Sequence, residues 1–101
     1  MADVSDNCGQ SRFEIAVDGE NAGSLAYQRG KGTISLIHTE IEPSFEGQGL
    51  GSKLIRGALD AARSEGLEVL PFCPFVRSFL AKHDEYLDLV PEDRRAEFEL
   101  A

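Results

Sequence analysis

The sequence predicts an α+β fold, in which a mostly antiparallel sheet is followed by one parallel strand–helix–strand unit. Residues 12–41 alternate between apolar and polar side chains, with turn-forming residues between the alternating stretches. This pattern is typical of half-buried strands. From Gly49 onward the apolar residues recur with the period of a helix, and a short apolar stretch follows that helix.

The antiparallel part contains three predicted strands. Arg12–Val17 carries Phe13, Ile15 and Val17 at alternate positions, and Ala22–Gln28 continues the alternation after a polar turn. A second turn at residues 30–32 precedes the longer, β-branched stretch Thr33–Ile41. Short turns between consecutive strands predict an antiparallel meander.

The second half predicts the parallel unit. Leu50, Leu54, Ala58 and Ala62 share one helical face, and Gly66 is placed to end the helix. Leu67–Pro71 is predicted as a short buried strand, parallel to the third strand because a helix connects them.

Two shorter helices are predicted after the parallel strand. Pro74 suits the first turn of a helix that runs to Lys82, because proline lacks only an N–H that would have no partner there. A short terminal helix is predicted from Pro91, with Glu92 and Asp93 near its start.

Length and composition limit the classes of function. The 101 residues predict a single domain over residues 12–101, preceded by a loose polar tail over residues 1–11. The net charge of −8 disfavours nucleic acid and anionic membranes as partners and favours a basic substrate. Cys8 and Cys73 do not suggest a disulfide framework, and without a secretory signal we expect a reduced, cytoplasmic protein. We expect no metal site.

The segment from Glu46 to Lys53, EGQGLGSK, is the main candidate binding site. Alternating glycines that lead into a helix allow close approach to the backbone and leave N–H groups for an anion such as phosphate. Gly51-Ser52-Lys53 has the wrong order for a P-loop, and the spacing G-x-G-x-G differs from the dinucleotide fingerprint. An ordinary turn into a helix remains the alternative.

This segment closely resembles motif A of the GNAT superfamily of N-acetyltransferases, written Q/R-x-x-G-x-G/A. Glu46 stands where Gln or Arg is usual, and Gly49 and Gly51 match the glycines. Together with Ile37-His38-Thr39-Glu40-Ile41 and the stretch from Leu70 to Val76, it makes residues 13–90 similar to short, single-domain GNAT-like proteins of the YjdJ type. The resemblance implies the GNAT fold, with the last strand splayed away from its neighbour.

The resemblance also implies that acetyl-CoA or coenzyme A binds in this splay. The loop amides would hold the pyrophosphate, and the main chain of the third strand would pair with the pantetheine arm. The residues implied are Ile41, Glu42, Gln48, Gly49, Leu50, Gly51, Ser52 and Lys53.

Three side chains are candidates for the chemistry of acetyl transfer. Glu40 is the base that the resemblance implies, and His38 competes with it because its ordinary pKa lies closer to neutrality. The alternative for each of them is an exposed polar residue of a sheet. Cys73 falls near the implied position of the CoA sulfur, as a proton donor or a nucleophile, or else as a small buried hydrophobe.

One departure from the family pattern limits the prediction of catalysis. The family's F-Y-x-K motif, whose tyrosine is the general acid, corresponds here to residues 79–82, with Leu80 in the tyrosine position. We therefore expect an N-acetyltransferase for a primary amine of unknown identity, acting as a monomer or weak dimer. The alternatives are a non-catalytic CoA-binding module with a protein partner, and an interaction domain that has lost the cofactor.

Overall fold

The computed structural model describes residues 2–100. The strands are β1 (Ala2–Asn7), β2 (Arg12–Val17), β3 (Glu20–Arg29), β4 (Thr33–Ile41) and β5 (Glu68–Pro71), and the α-helices are α1 (Leu50–Glu65) and α2 (Pro74–Lys82). Short 3-10 helices cover Cys8–Gln10, Pro43–Phe45, Asp84–Leu89, Glu92–Arg94 and Ala96–Phe98. Across these residues, no helix has the length and apolar character needed to span a membrane.

The strands form one sheet in the order β1-β2-β3-β4-β5. The first four are antiparallel neighbours, and β5 lies parallel to β4, which confirms the predicted α+β arrangement. The hairpin between β2 and β3 turns on Asp18 and Gly19, with φ of 51° and 83°. Positive φ at both central residues matches the twist of the flanking strands.

The N-terminal segment corrects one prediction. Residues 2–7 were expected to lie in a loose tail, but they form β1 and pair with the whole of β2 from Ala2↔Val17 to Asn7↔Arg12. Val4 packs against α1 at Gly57, where an added Cβ would lie 2.8 Å from Val4 Cγ1. A strand this polar has little intrinsic preference for a sheet, so its conformation depends on tertiary contacts.

Helix α1 covers one face of the sheet with the apolar positions predicted for it. Leu54, Ala58 and Leu59 are fully buried. The helix ends at Gly66, whose φ of 69° and N–H contacts with the carbonyls of Ala62 and Arg63 form the expected glycine cap. The predicted terminal helix from Pro91 is instead two separate 3-10 turns, which position Phe98 in the core.

We predict that Gly57→Ala destabilises the protein by about 1 kcal/mol or more, because the new methyl overlaps Val4. In a Val4→Gly background, which also removes the Val4 Cβ at 3.0 Å, the same change should stabilise by roughly 0.5–1 kcal/mol, the usual gain of alanine over glycine inside a helix. Urea unfolding of the single and double variants measures both effects. An equal stabilisation in both backgrounds would show that β1 does not pack on α1.

Candidate functional site

The candidate site is a groove that opens where β5 stops pairing with β4. Their parallel pairing runs from Thr33↔Glu68 to Leu36↔Pro71. The N–H of Cys73 then donates to the carbonyl of Leu36, 2.9 Å away, and the chain turns into α2. Beyond Leu36, β4 continues to Ile41 with β3 as its only paired strand among the described residues.

A bulge in β4 determines which backbone groups face this groove. The pairing with β3 shifts between Leu36 and His38, so Ile37 is the extra residue. Past the bulge, Glu42 donates its N–H to the carbonyl of Ala22. Because backbone groups alternate in direction along a strand, those of Thr39 and Ile41 point away from β3.

Ile41, the last residue of β4, and the adjacent Glu42 were both predicted to bind a ligand through their main chain. The geometry leaves only Ile41 able to do so. Ile41 lines the groove, and its backbone groups face the open edge. At Glu42 the N–H is instead donated to Ala22, and the carbonyl accepts from the N–H of Phe45 at 2.8 Å. Only the side chain of Glu42 is left to contribute to the groove.

The groove has a volume of about 730 Å³. One wall is the end of β4 and the 3-10 turn after it, and the other is the glycine loop with the first turn of α1. Its lining residues are His38, Thr39, Glu40, Ile41, Glu42, Pro43, Phe45, Glu46, Gly47, Gly49, Leu50, Gly51, Ser52 and Phe75.

The glycine loop presents a run of backbone amides to this groove. Within residues 2–100, no backbone carbonyl accepts a hydrogen bond from the amides of residues 47–52. Gly47 and Gly49 have φ of 84° and 73°, which bends the loop onto the start of α1. The first amides of a helix have no intrahelical acceptor and lie at the positive end of its dipole. The loop therefore has the unpartnered amides that an anion site requires, and anion binding there stays a prediction.

The structure treats the other predicted loop residues differently. Gln48 belongs to the amide run, but its side chain is exposed and does not line the groove. The N–H of Lys53, which was predicted to bind a ligand, instead donates to the carbonyl of Gly49 in the first turn of α1. Lys53 retains a role only through its exposed ammonium group.

Apart from His38, the ionisable side chains that line the groove are acidic. Glu40, Glu42 and Glu46 line it, whereas no Lys or Arg is among the lining residues. Carboxylates on one wall and free amides on the other give the two walls opposite electrostatic character. The groove therefore suits a ligand with an anionic end beside the loop and a cationic group beside β4.

His38 and Glu40 lie together on the exposed face of β4, as the two-residue period predicts. His38 Nε2 is 3.1 Å from Glu40 Oε1, and both side chains are largely exposed to solvent. The contact places a ring nitrogen that can accept a proton beside a carboxylate that stabilises the resulting charge.

Cys73 is near the groove but not part of its lining. Its residue is 2% exposed, and its Sγ lies 3.3 Å from Thr39 Oγ1. Thr39 does line the groove, so this contact links the buried thiol to a lining residue. The sequence did not single out Thr39, because the bulge that turns it toward Cys73 has no signature in the sequence.

Neither Leu80 nor the nearby polar residues replace the tyrosine of the family pattern. Leu80 is completely buried in the core. The hydroxyl of Tyr86 donates to Asp60 at 2.8 Å, and burial followed by this hydrogen bond raises the pKa of Tyr86. The ring of His83 stacks on Phe79, and its Nδ1 lies 2.9 Å from the Phe79 carbonyl. Leu80, His83 and Tyr86 therefore make structural contacts that fix the chain in and after α2.

Phe75 is a lining residue that the sequence analysis missed. It lies in the first turn of α2, is 63% exposed, and is 3.8 Å from the position of a Cβ added at Gly51. The available signal was a phenylalanine directly after a helix-starting proline. This position lies off the buried face of α2, which carries Val76, Phe79 and Leu80.

Comparison with known proteins places this chain in a family. Residues 12–89 match the model of the GCN5-related N-acetyltransferases. The chain is 28% identical to Protein NATD1 of Danio rerio over 83 residues, which cover 78% of this chain and 76% of the relative. It is 27% identical to Protein NATD1 of Xenopus tropicalis over 81 residues, covering 76% and 74%.

Two solved structures are similar to this one. A GCN5-like candidate N-acetyltransferase from Staphylococcus aureus, solved by NMR, superposes with a TM-score of 0.67 at 25% identity, covering 88% of this chain and 87% of that one. Ard1 from Thermoplasma volcanium shares the fold, with a TM-score of 0.53 at 21% identity over 60% of this chain and 43% of its own.

The chain therefore belongs to the GCN5-related N-acetyltransferase (GNAT) family, because the family model spans most of its length. The fold prediction made from the glycine loop and its flanking strands is confirmed.

We predict two distinct rates of thiol modification. Cys8 is exposed and should react rapidly with an aromatic disulfide reagent, whereas the buried Cys73 should react only after local opening. Cys8→Ser should remove the fast phase and Cys73→Ser the slow one, as followed by absorbance. Two equally fast phases would contradict the burial of Cys73.

Proposed function

We propose that the protein binds acetyl-CoA in the groove between the end of β4 and the glycine loop and transfers its acetyl group to a primary amine. The observation that carries the proposal is the run of free amides from Gly47 to Ser52 along one wall. Membership of the GNAT family supports acetyl transfer as the general reaction.

The residues present fit the proposed ligand. The amides at the start of α1 suit a pyrophosphate, since such groups bind anions without a basic side chain. The open edge of β4 at Thr39 and Ile41 suits the amides of a pantetheine arm, which would extend the sheet as a short strand does. Acetyl-CoA supplies a thioester whose carbonyl carbon an amine can attack.

The acceptor side of the groove supports an amine substrate. The carboxylates of Glu40 and Glu42 attract an alkylammonium ion, which must lose a proton before it attacks. The His38–Glu40 pair accepts that proton, directly or through one water, because both side chains lie on the groove wall.

The leaving thiolate requires a proton, and Cys73 with Thr39 is the best placed source. The 3.3 Å contact lets a proton pass from the buried thiol to the Thr39 hydroxyl and on to the groove. Direct attack by Cys73 is less well supported, because the residue is buried and is not part of the groove lining.

A non-catalytic CoA-binding module is the second candidate. The observation that favours it is the buried Leu80 in the position of the family's tyrosine acid, together with a groove lining that includes no tyrosine. A module would retain the amide run and the open strand edge without needing the proton-transfer groups.

We predict that Gly49→Ala weakens the binding of CoA and acetyl-CoA at least fivefold, because alanine disfavours the φ of 73° that aims the loop amides. Gly66→Ala is the matched control. It has a φ of 69° at the other end of α1, and neither added Cβ meets an atom within 4 Å. Titration calorimetry should show weaker binding for Gly49→Ala alone, with similar losses of stability for both.

Equal affinities for the two glycine variants would contradict the assignment of the loop as the pyrophosphate site. An absence of binding by the wild-type protein to either ligand at millimolar concentration would overturn both candidate functions.

Turnover assays with a panel of amines separate the enzyme from the module. If the protein is an enzyme, we expect Glu40→Gln and His38→Gln to lower kcat by roughly 10²-fold or more and to alter the pH–rate profile, without changing the affinity for acetyl-CoA. Cys73→Ala and Thr39→Val should lower kcat by a smaller and similar factor if they form one relay. Binding without turnover of any amine would favour the module.

A further inference from the structure

Glu46 occupies an unusual electrostatic position at the start of the amide run. It ends the 3-10 turn Pro43–Phe45, donates its own N–H to the carbonyl of Pro43, and lines the groove next to Gly47. Its carboxylate is therefore close to the site where an anion would be held.

This carboxylate is not neutralised by a neighbouring cation. No basic group in residues 2–100 lies within 4.0 Å of it, which is ion-pair distance. The groove lining contains no Lys or Arg, and Lys53 belongs to the first turn of α1 without lining the groove. An anion bound at the amides would therefore meet a negative charge that no ion pair neutralises.

We propose that Glu46 is a specificity-determining residue that weakens the binding of phosphate-bearing ligands in proportion to their charge. The inference rests on the proposed function, since it concerns the same groove. Glu46 makes CoA a low-affinity ligand, so that the protein releases it readily and is occupied only when CoA or acetyl-CoA is abundant.

The expected size of the effect follows from the charges. A carboxylate about 7 Å from a pyrophosphate with about two negative charges, in a solvated groove, weakens binding roughly five- to tenfold. Because the groove is open, salt screens this repulsion, with a Debye length of about 10 Å at 0.1 M and 3 Å at 1 M. The difference between wild type and a neutral variant must therefore shrink as salt is added.

The test compares Glu46→Gln with Glu68→Gln. Both remove one negative charge from an exposed glutamate, but Glu68 begins β5 and pairs with Thr33, at the end of β4 remote from the groove. Calorimetric titration with CoA at about 50 mM and about 500 mM sodium chloride should show Glu46→Gln binding five- to tenfold more tightly than wild type at low salt, and less than threefold more tightly at high salt. Glu68→Gln should match wild type at both.

Three results would overturn the inference. If Glu46→Gln and wild type bind CoA with equal affinity, the carboxylate does not act on the phosphates, while the proposed function stands. If Glu68→Gln tightens binding as much as Glu46→Gln, the effect belongs to net charge. If neither wild type nor Glu46→Gln binds CoA at millimolar concentration, the proposed function fails as well.

Discussion

The early end of the pairing between β4 and β5 is the constraint on which the site depends. Parallel pairing stops at Leu36↔Pro71, and the contact from Cys73 N–H to the Leu36 carbonyl closes it. Pro71 has no N–H to continue a ladder, and Pro74 begins α2 almost at once. The chain therefore turns away, and the rest of β4 keeps an edge with free backbone groups. A longer β5 would fill the groove with protein.

The two walls of this groove differ in electrostatic character. The start of α1 contributes roughly half a positive charge through its amides and dipole. The opposite wall carries the carboxylates of Glu40 and Glu42. In the proposed function, this arrangement would keep an anionic ligand apart from a cationic acceptor without any Lys or Arg among the described lining residues. Glu46 lies between the two regions, which is the basis of the proposal that its charge weakens binding at the loop.

Several polar side chains that resemble catalytic groups are committed to structure. Arg56 lies over the rings of Phe79 and Tyr86, and the Tyr86 hydroxyl donates to Asp60. These contacts join α1 to α2 and to the 3-10 turn Asp84–Leu89. The candidates for chemistry are consequently concentrated on β4, where His38, Thr39 and Glu40 are consecutive. The proposed catalysis would therefore rest mainly on β4 and its bulge, with Cys73 beside Thr39.

The sequence by itself determined the order of the elements from β2 to α2, the glycine loop and the family. Periodicity placed β2 to β5 and both α-helices, because burial of one face imposes a period that local residues reveal. Tertiary structure alone decided the rest. β1 exists because β2 offers an edge and Gly57 leaves room for Val4. The bulge at Ile37 brought Thr39 to Cys73 and left Ile41, but not Glu42, with free backbone groups. Such outcomes depend on contacts between residues distant in the chain, which no local pattern records.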